Sequence, residues 1–159
     1  MSVARAIVTR MSDLRLEPPS PDLLDALVAL PPRPSEPANV APVVYSLAEA
    51  YVTPTAWPRA ILDGENVVGF VMANFDAENE IAAFRAGVWR LNIDTAAQGR
   101  GVGRFAVMQV ADEARRRGFD AITVLWEPGD DGPEKFYLTL GFVPTGEELF
   151  GERVGILRL

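Results

Sequence analysis

The chain has 159 residues, 48% hydrophobic and 23% charged, which fits one globular domain large enough to bury a core without a covalent staple. A formal net charge of −7 disfavours a nucleic-acid partner, which would leave a basic footprint; an acidic exterior is either an ordinary solvated surface or a match for a cationic substrate. Cysteine and histidine are both absent, so disulfides, thiol nucleophiles, Ser-His-Asp triads and Cys- or His-ligated metals are excluded, no metal is expected, and any general base must be a carboxylate, a tyrosine, a lysine or a relayed water.

Residues 1–12 read as a leader or an extra N-terminal strand, and 13–159 as the domain proper. The first residues lack the apolar centre of a signal peptide, and no run approaches the ~20 apolar residues of a membrane span, so a cytoplasmic protein with no membrane partner is expected. Leu14-Arg15-Leu16 alternates as a strand. Ser20 as N-cap, Pro21 and Asp22 make a helix start, and Leu23, Leu24, Leu27, Val28 and Leu30 follow at helical spacing. Residues 31–42 hold five prolines and predict a loop; 46–51 predict a second short helix. A strand at 57–62, the turn Asp63-Gly64 and a strand at 67–73 form a hairpin, 74–80 interrupt, and 86–94 make the next strand. Residues 102–117 predict an amphipathic helix whose stripe of Val102, Ala106, Val110 and Ala114 is widened by Val107 and Ala111. Asp112–Arg116 and Glu113–Arg117 are favourable i,i+4 pairs there, and Gly118 closes the helix. Residues 121–126, apolar except for Thr123, predict a strand buried on both faces. Pro133 opens a last helix that Gly141 ends, and 142–145 and 154–159 are the final strands. Helices set between strands indicate an α/β sheet.

The clearest chemistry lies where Leu91-Asn92-Ile93-Asp94 leads through Gln98-Gly99-Arg100-Gly101-Val102-Gly103-Arg104, from strand through glycine loop into the long helix. A first helical turn leaves N–H groups unpaired and carries positive dipole potential, and glycines let an anion approach the backbone. Arg100 and Arg104 add two formal charges. A phosphate site is one reading; a strand-to-helix turn that needs glycine for its geometry is the other. A Walker loop is excluded for want of Gly-Lys-Ser/Thr, and the alternate glycines do not match a Rossmann fingerprint, for which Asp120 is only a weak ribose-binding match.

Gln98-Gly99-Arg100-Gly101-Val102-Gly103 resembles the Gln/Arg-x-x-Gly-x-Gly/Ala signature of the GNAT superfamily of N-acetyltransferases. Glu127-Pro128-Gly129-Asp130, Glu134-Lys135-Phe136-Tyr137-Leu138 and Leu140-Gly141-Phe142-Val143-Pro144-Thr145-Gly146 resemble its last strand–helix–strand unit. The stretch from Ser46 to Tyr51, with Trp57-Pro58 and Val68-Gly69-Phe70, is similar to a subgroup that includes bacterial diamine and polyamine acetyltransferases. The resemblance covers about residues 14–159. It implies an α/β (α+β) fold: a mixed, mostly antiparallel sheet of about seven strands with about four helices, splayed between the fourth and fifth strands, here residues 86–94 and 121–126. Acetyl-CoA as co-substrate would enter that split. Backbone groups of Leu91, Asn92 and Ile93 would pair with its pantetheine arm, and those of Gln98, Gly99, Arg100, Gly101, Val102, Gly103 and Arg104 would bind its pyrophosphate.

The implied reaction moves an acetyl group to a primary amine of a small cationic, polyamine-like molecule. The family often has a tyrosine at the position of Tyr137 as general acid to the coenzyme sulfur. Tyr137 follows Phe136 on a helix where Phe136 and Leu140 pair at i,i+4, which would bring its hydroxyl to the edge facing the split; a core tyrosine with its hydroxyl at the surface is the other reading. The base stays open among Asp94, Glu127, Glu49 and a water relay. Asp130 stands where the family often has a coenzyme-contacting asparagine, and would otherwise help cap the helix opened by Pro133. Glu49, Tyr51 and Trp57 are candidates for an amine pocket through charge and cation–π contacts, whereas Trp89 is expected in the core because it shares a strand face with Leu91 and Ile93. Acetylation of a protein, peptide or antibiotic amine, and a non-catalytic acetyl-CoA sensor, are the competing readings; a homodimer is compatible with the resemblance.

Overall fold

The computed structural model describes residues 13–31 and 41–159; the leader or strand read at 1–12 and most of the proline-rich loop lie outside the described residues. The elements in chain order are β1 (Leu14–Glu17), α1 (Pro21–Val28), α2 (Val43–Val52), β2 (Ala56–Asp63), β3 (Asn66–Phe75), β4 (Ala86–Ile93), α3 (Val102–Arg116), β5 (Ala121–Trp126), α4 (Glu134–Thr139), β6 (Val143–Leu149) and β7 (Glu152–Arg158). One seven-stranded sheet runs β1-β2-β3-β4-β5-β7-β6. Its neighbours are antiparallel except β4 and β5, which are parallel. The long α3 supplies the crossover that a parallel pair requires.

Each face of the sheet has its own core. On one, the α3 stripe of Val102, Ala106, Val107, Val110, Ala111 and Ala114 is buried against Ile61, Val71, Val88, Ile93, Ile122 and Val124. On the other, Leu27 and Leu30 from the α1 end and Val43 of α2 close over Ala60, Leu62, Phe70 and Met72. β3 runs two residues past its expected end because Asn74 is satisfied inside the fold. Its Nδ2 donates to Phe84 O at 2.8 Å, and its Oδ1 accepts from Thr55 Oγ1 at 2.7 Å.

Several expectations change. Ser20 holds the cap position of α1, but its side chain makes no capping bond. α2 begins at Val43 rather than at Ser46. Arg116 turns to Glu113 (2.7 Å), leaving Asp112 to Arg115 (2.7 Å), so the Asp112–Arg116 pair does not form, whereas Glu113–Arg117 does. β5 is buried on one face only: Ile122, Val124 and Trp126 are covered, while Ala121, Thr123 and Leu125 are half-buried, because α1 and α2 pack over β3 and β2. β6 extends to Leu149 although it is mostly exposed, since it is held by pairing with β7 around a two-residue turn at Phe150-Gly151. Both turn residues have positive φ, as the favoured two-residue hairpin turn demands, and the Phe150 ring stacks on Phe84 at 6.1 Å.

The largest correction lies in β4. Val88 pairs with Ala73 and Arg90 with Met72, so Trp89 is an extra residue, a β-bulge. Alternation inverts across it. Val88, Leu91 and Ile93 face α3, while Trp89 packs on the opposite core with Phe70 and Met72. Trp89 therefore does not share a face with Leu91 and Ile93.

Candidate active site

β4 and β5 meet at one end and part at the other. Pairing is confined to Gly87 with Thr123 and Val88 with Val124. Glycine is needed at 87 because a Cβ there would lie 2.6 Å from both the carbonyl and hydroxyl oxygens of Thr123. That hydroxyl donates to the carbonyls of Ala83 and Ala86, tying off the closed end. Beyond the bulge, Leu91, Asn92 and Ile93 pair with Val71, Phe70 and Gly69 of β3, and their other edge faces the split. A strand edge of this kind offers N–H and C=O groups to an extended amide chain.

At the end of β4 the chain is pinned before it enters α3. Asp94 Oδ1 accepts from Ala96 N at 3.1 Å, capping the short turn Thr95–Ala97. Gln98 Nε2 donates back to Ile93 O at 3.3 Å. Gly99 (φ 75°) and Gly101 (φ 80°) adopt the left-handed conformation that favours glycine. The first intrahelical bond of α3 runs from Phe105 N to Gly101 O at 3.0 Å, so the N–H groups of Val102, Gly103 and Arg104 precede it. Arg100 and Arg104 are exposed beside them. A Cβ on Gly103 would come 3.1 Å from the Phe136 ring, so this glycine lets α4 sit close against the start of α3.

α4 brings Tyr137 onto the end of β5. Its ring stacks on Trp126 at 5.9 Å and 12°, and meets Phe142 and Phe136 edge-on at 5.5 and 5.0 Å. Glu134 of α4 pairs with Arg153 of β7 at 3.1 Å, fixing the helix over the sheet. Gly155 of β7 leaves room for the Trp126 ring, which lies where a side chain would be. The cap position of α4 is Pro133 itself, with no side-chain capping bond; Asp130 is exposed and does not fill that role.

Charges gather on the α2 side of β4. Arg90 Nη2 donates to Glu49 at 3.1 Å and Nη1 to Trp89 O at 2.9 Å, while its buried Nε has no partner among the described residues. The buried Oδ1 of Asn92, on the same strand face, is also without a hydrogen bond among the described residues. Burial, and then the nearby Glu127 carboxylate, push Glu152 above the ordinary carboxylate range, with Arg90 pulling the other way. Glu49, Arg90, Glu127 and Glu152 thus form one electrostatic group, assembled from α2, β4, the end of β5 and the start of β7.

Not every expected site residue joins it. Trp57 lies on the α3 face, edge-on to Phe75 at 5.9 Å and beneath the Arg59 guanidinium at 4.1 Å, so the sheet separates it from Glu49. Tyr51 is 92% exposed at the end of α2. Asp94 is engaged as a turn cap. Sequence reasoning missed Arg90, Trp126 and Glu152; an isolated glycine in a strand, Gly155, was the one available signal that something packs tightly there.

A model of the acetyltransferase (GNAT) family matches residues 22–142. No curated protein matches by sequence. Among solved structures, the fold is similar to the GNAT domain of S. lividans PAT (TM-score 0.70, 19% identity, covering 92% of this chain and 90% of that one). It is also similar to an acetyltransferase from Thermus thermophilus (0.67, 20%, 92% and 97%). A third is yncA of Salmonella typhimurium, solved with its cofactor acetyl-CoA (0.65, 19%, 92% and 94%).

Proposed function

The chain belongs to the acetyltransferase (GNAT) family, and from that premise we propose that it transfers the acetyl group of acetyl-CoA to a primary amine on a small cationic molecule. The observation that carries the reading is one juxtaposition. The parting of β4 from β5 opens beside a glycine-led helix N-terminus, with Gln98 bonded back to Ile93 at their junction. The residues present fit acetyl-CoA. N–H groups from Gly99 to Arg104, with Arg100 and Arg104, would hold its pyrophosphate, and the free edge of Leu91, Asn92 and Ile93 would hold its pantetheine arm. Bound there, acetyl-CoA supplies an acetyl thioester.

The protein's own groups then do the rest. Tyr137 would deliver its hydroxyl proton to the departing sulfur from a ring held by Trp126 and Phe142. With no histidine in the chain, the proton lost by the amine goes to a carboxylate or to water. Glu127 and Glu152 are the carboxylates best supported for it, because they lie in one electrostatic group near the split. Glu49 pairs with Arg90, and Glu152 lies near enough to both Glu127 and Arg90 to feel their charges; carboxylates outnumber the guanidinium in this group, which supports a cationic, polyamine-like acceptor.

The test is a melting curve with acetyl-CoA followed by a free-thiol assay over an amine panel. Ligand at about 100 times its Kd adds about 2.7 kcal/mol, which for a chain of this length is roughly 5–11 °C in Tm. Gly101→Asp should abolish the shift and Gly101→Asn should retain more of it, since the two share the left-handed strain but only one carries the charge. Thiol release with linear diamines and polyamines, and not with peptide N-termini, supports the acceptor class. A shift with no thiol release from any amine would make the protein a sensor, and no shift in folded protein would remove the coenzyme altogether.

A further inference from the structure

α2 turns an apolar face to solvent. Val44, Tyr45, Tyr51 and Val52 are 52–92% exposed, and Ala48 is exposed between them. At helical spacing these five residues share an arc of about 120° and form one stripe along the helix. Val43, Ser46, Leu47 and Ala50 occupy the opposite side, which is turned into the fold. The one charged residue of α2, Glu49, lies beyond the edge of the stripe and is bonded to Arg90 of β4 at 3.1 Å. By ordinary side-chain areas the stripe exposes on the order of 500 Å², and a contiguous apolar patch of more than a few hundred Å² marks an interaction surface.

The order of the residues says what covers it. From Val44 to Val52 the chain reads Val-Tyr-Ser-Leu-Ala-Glu-Ala-Tyr-Val, and its exposed members are symmetric about Ala48. Two copies of this helix laid antiparallel across a two-fold axis at Ala48 bring Val44 of one copy against Val52 of the other, and Tyr45 against Tyr51. Ala48 meets itself on the axis, where a small side chain lets the helices approach to the about 8–10 Å of ordinary helix packing. A two-fold contact requires a surface complementary to itself, and this one matches residue by residue. A net charge of −7 repels two copies elsewhere, so an uncharged stripe is where they can meet. Two stripes together remove about 1,000 Å² from water, the lower bound of a specific interface, and tyrosine is among the residues that carry binding energy there.

We propose that the protein forms a two-fold homodimer through α2, with Ala48 of each copy on the axis. The partner helix braces the element that carries Glu49 and leaves Glu49 bonded to Arg90 of its own copy. Dimerisation of this kind is independent of the coenzyme.

The experiment is sedimentation equilibrium of the full chain from about 1 µM to about 1 mM, which spans the weak affinities of an interface this small. The mass should reach twice that of one chain. Ala48→Glu sets two like charges against each other on the axis and should raise the dissociation constant at least about 100-fold. The position is exposed and glutamate is a good helix former, so the fold should persist. Ala48→Cys gives a chain whose single thiol lies on the axis, and mild oxidation should join two copies through it; Arg115→Cys, exposed on α3 across the sheet, should not cross-link. A monomer over the whole range overturns the proposal and leaves the stripe to another occupant, an apolar part of the acceptor or a different protein. A dimer of unchanged affinity in folded Ala48→Glu also overturns it. Should that variant not fold, cross-linking no faster in Ala48→Cys than in Arg115→Cys does the same.

Discussion

Replacing Gly155 with alanine should damage this protein out of proportion to one methyl group. The backbone there is not in the left-handed region, so the glycine serves space rather than conformation. The new Cβ would lie 2.2 Å from Cζ3 and 2.4 Å from Cη2 of Trp126. Carbon atoms in contact settle at about 3.5–4.0 Å, so ring or strand must yield by roughly 1.3 Å or more. The ring has little freedom to do so, because Tyr137 stacks on it and is itself backed by Phe142. Overpacking of this kind costs roughly 1–3 kcal/mol, which for a chain of this length lowers Tm by about 2–12 °C. The measurement is thermal unfolding by circular dichroism, run as a double-mutant cycle with Trp126→Phe. The smaller ring lacks the clashing atoms, so a coupling of about 1 kcal/mol or more is expected. Equal cost in both backgrounds would refute the contact as the cause. So would a stabilisation of about 0.4–1 kcal/mol, the usual result of glycine to alanine where nothing obstructs the methyl.

Tyr137→Phe should lower kcat by roughly 10²–10⁴-fold with coenzyme affinity nearly intact, since the ring and its stack on Trp126 remain; an unchanged kcat, with chemistry shown to be rate-limiting, would return Tyr137 to a packing role. Glu152 has a folded-state pKa raised chiefly by burial, so the fold prefers its protonated form. The stability it contributes is full below its unfolded pKa and is lost as pH rises through the raised value. Glu152→Gln should therefore match the parent in Tm below about pH 4 and exceed it near neutrality, while raising KM for a polyamine acceptor. A Tm difference that does not change with pH would contradict this account.

What could be read from the chain alone was what neighbours in sequence decide. The α3 stripe repeats at helical spacing, so Val102, Ala106, Val110 and Ala114 were identifiable as core, and all are buried. The glycines at 99 and 101 marked a loop whose backbone needs positive φ, as both have. The order of strands and helices, with the resemblance carried by the glycine loop and the unit around Phe136 and Tyr137, pointed to the sheet that is found. Tertiary structure alone decided which residues meet. One bulge at Trp89 inverts the alternation of β4, and period-two reasoning cannot see an inserted residue whose only trace is a shift in pairing with β3. The side of the sheet on which Trp57 packs, opposite to Glu49, depends on which helix covers which face. Glu127 and Glu152 affect one another because β7 inserts between β5 and β6, a pairing with no local signature. The attitude of the Trp126 ring is a product of two such encounters, with Gly155 and with Tyr137. Each depends on distances between residues far apart in the chain, which composition and periodicity do not encode.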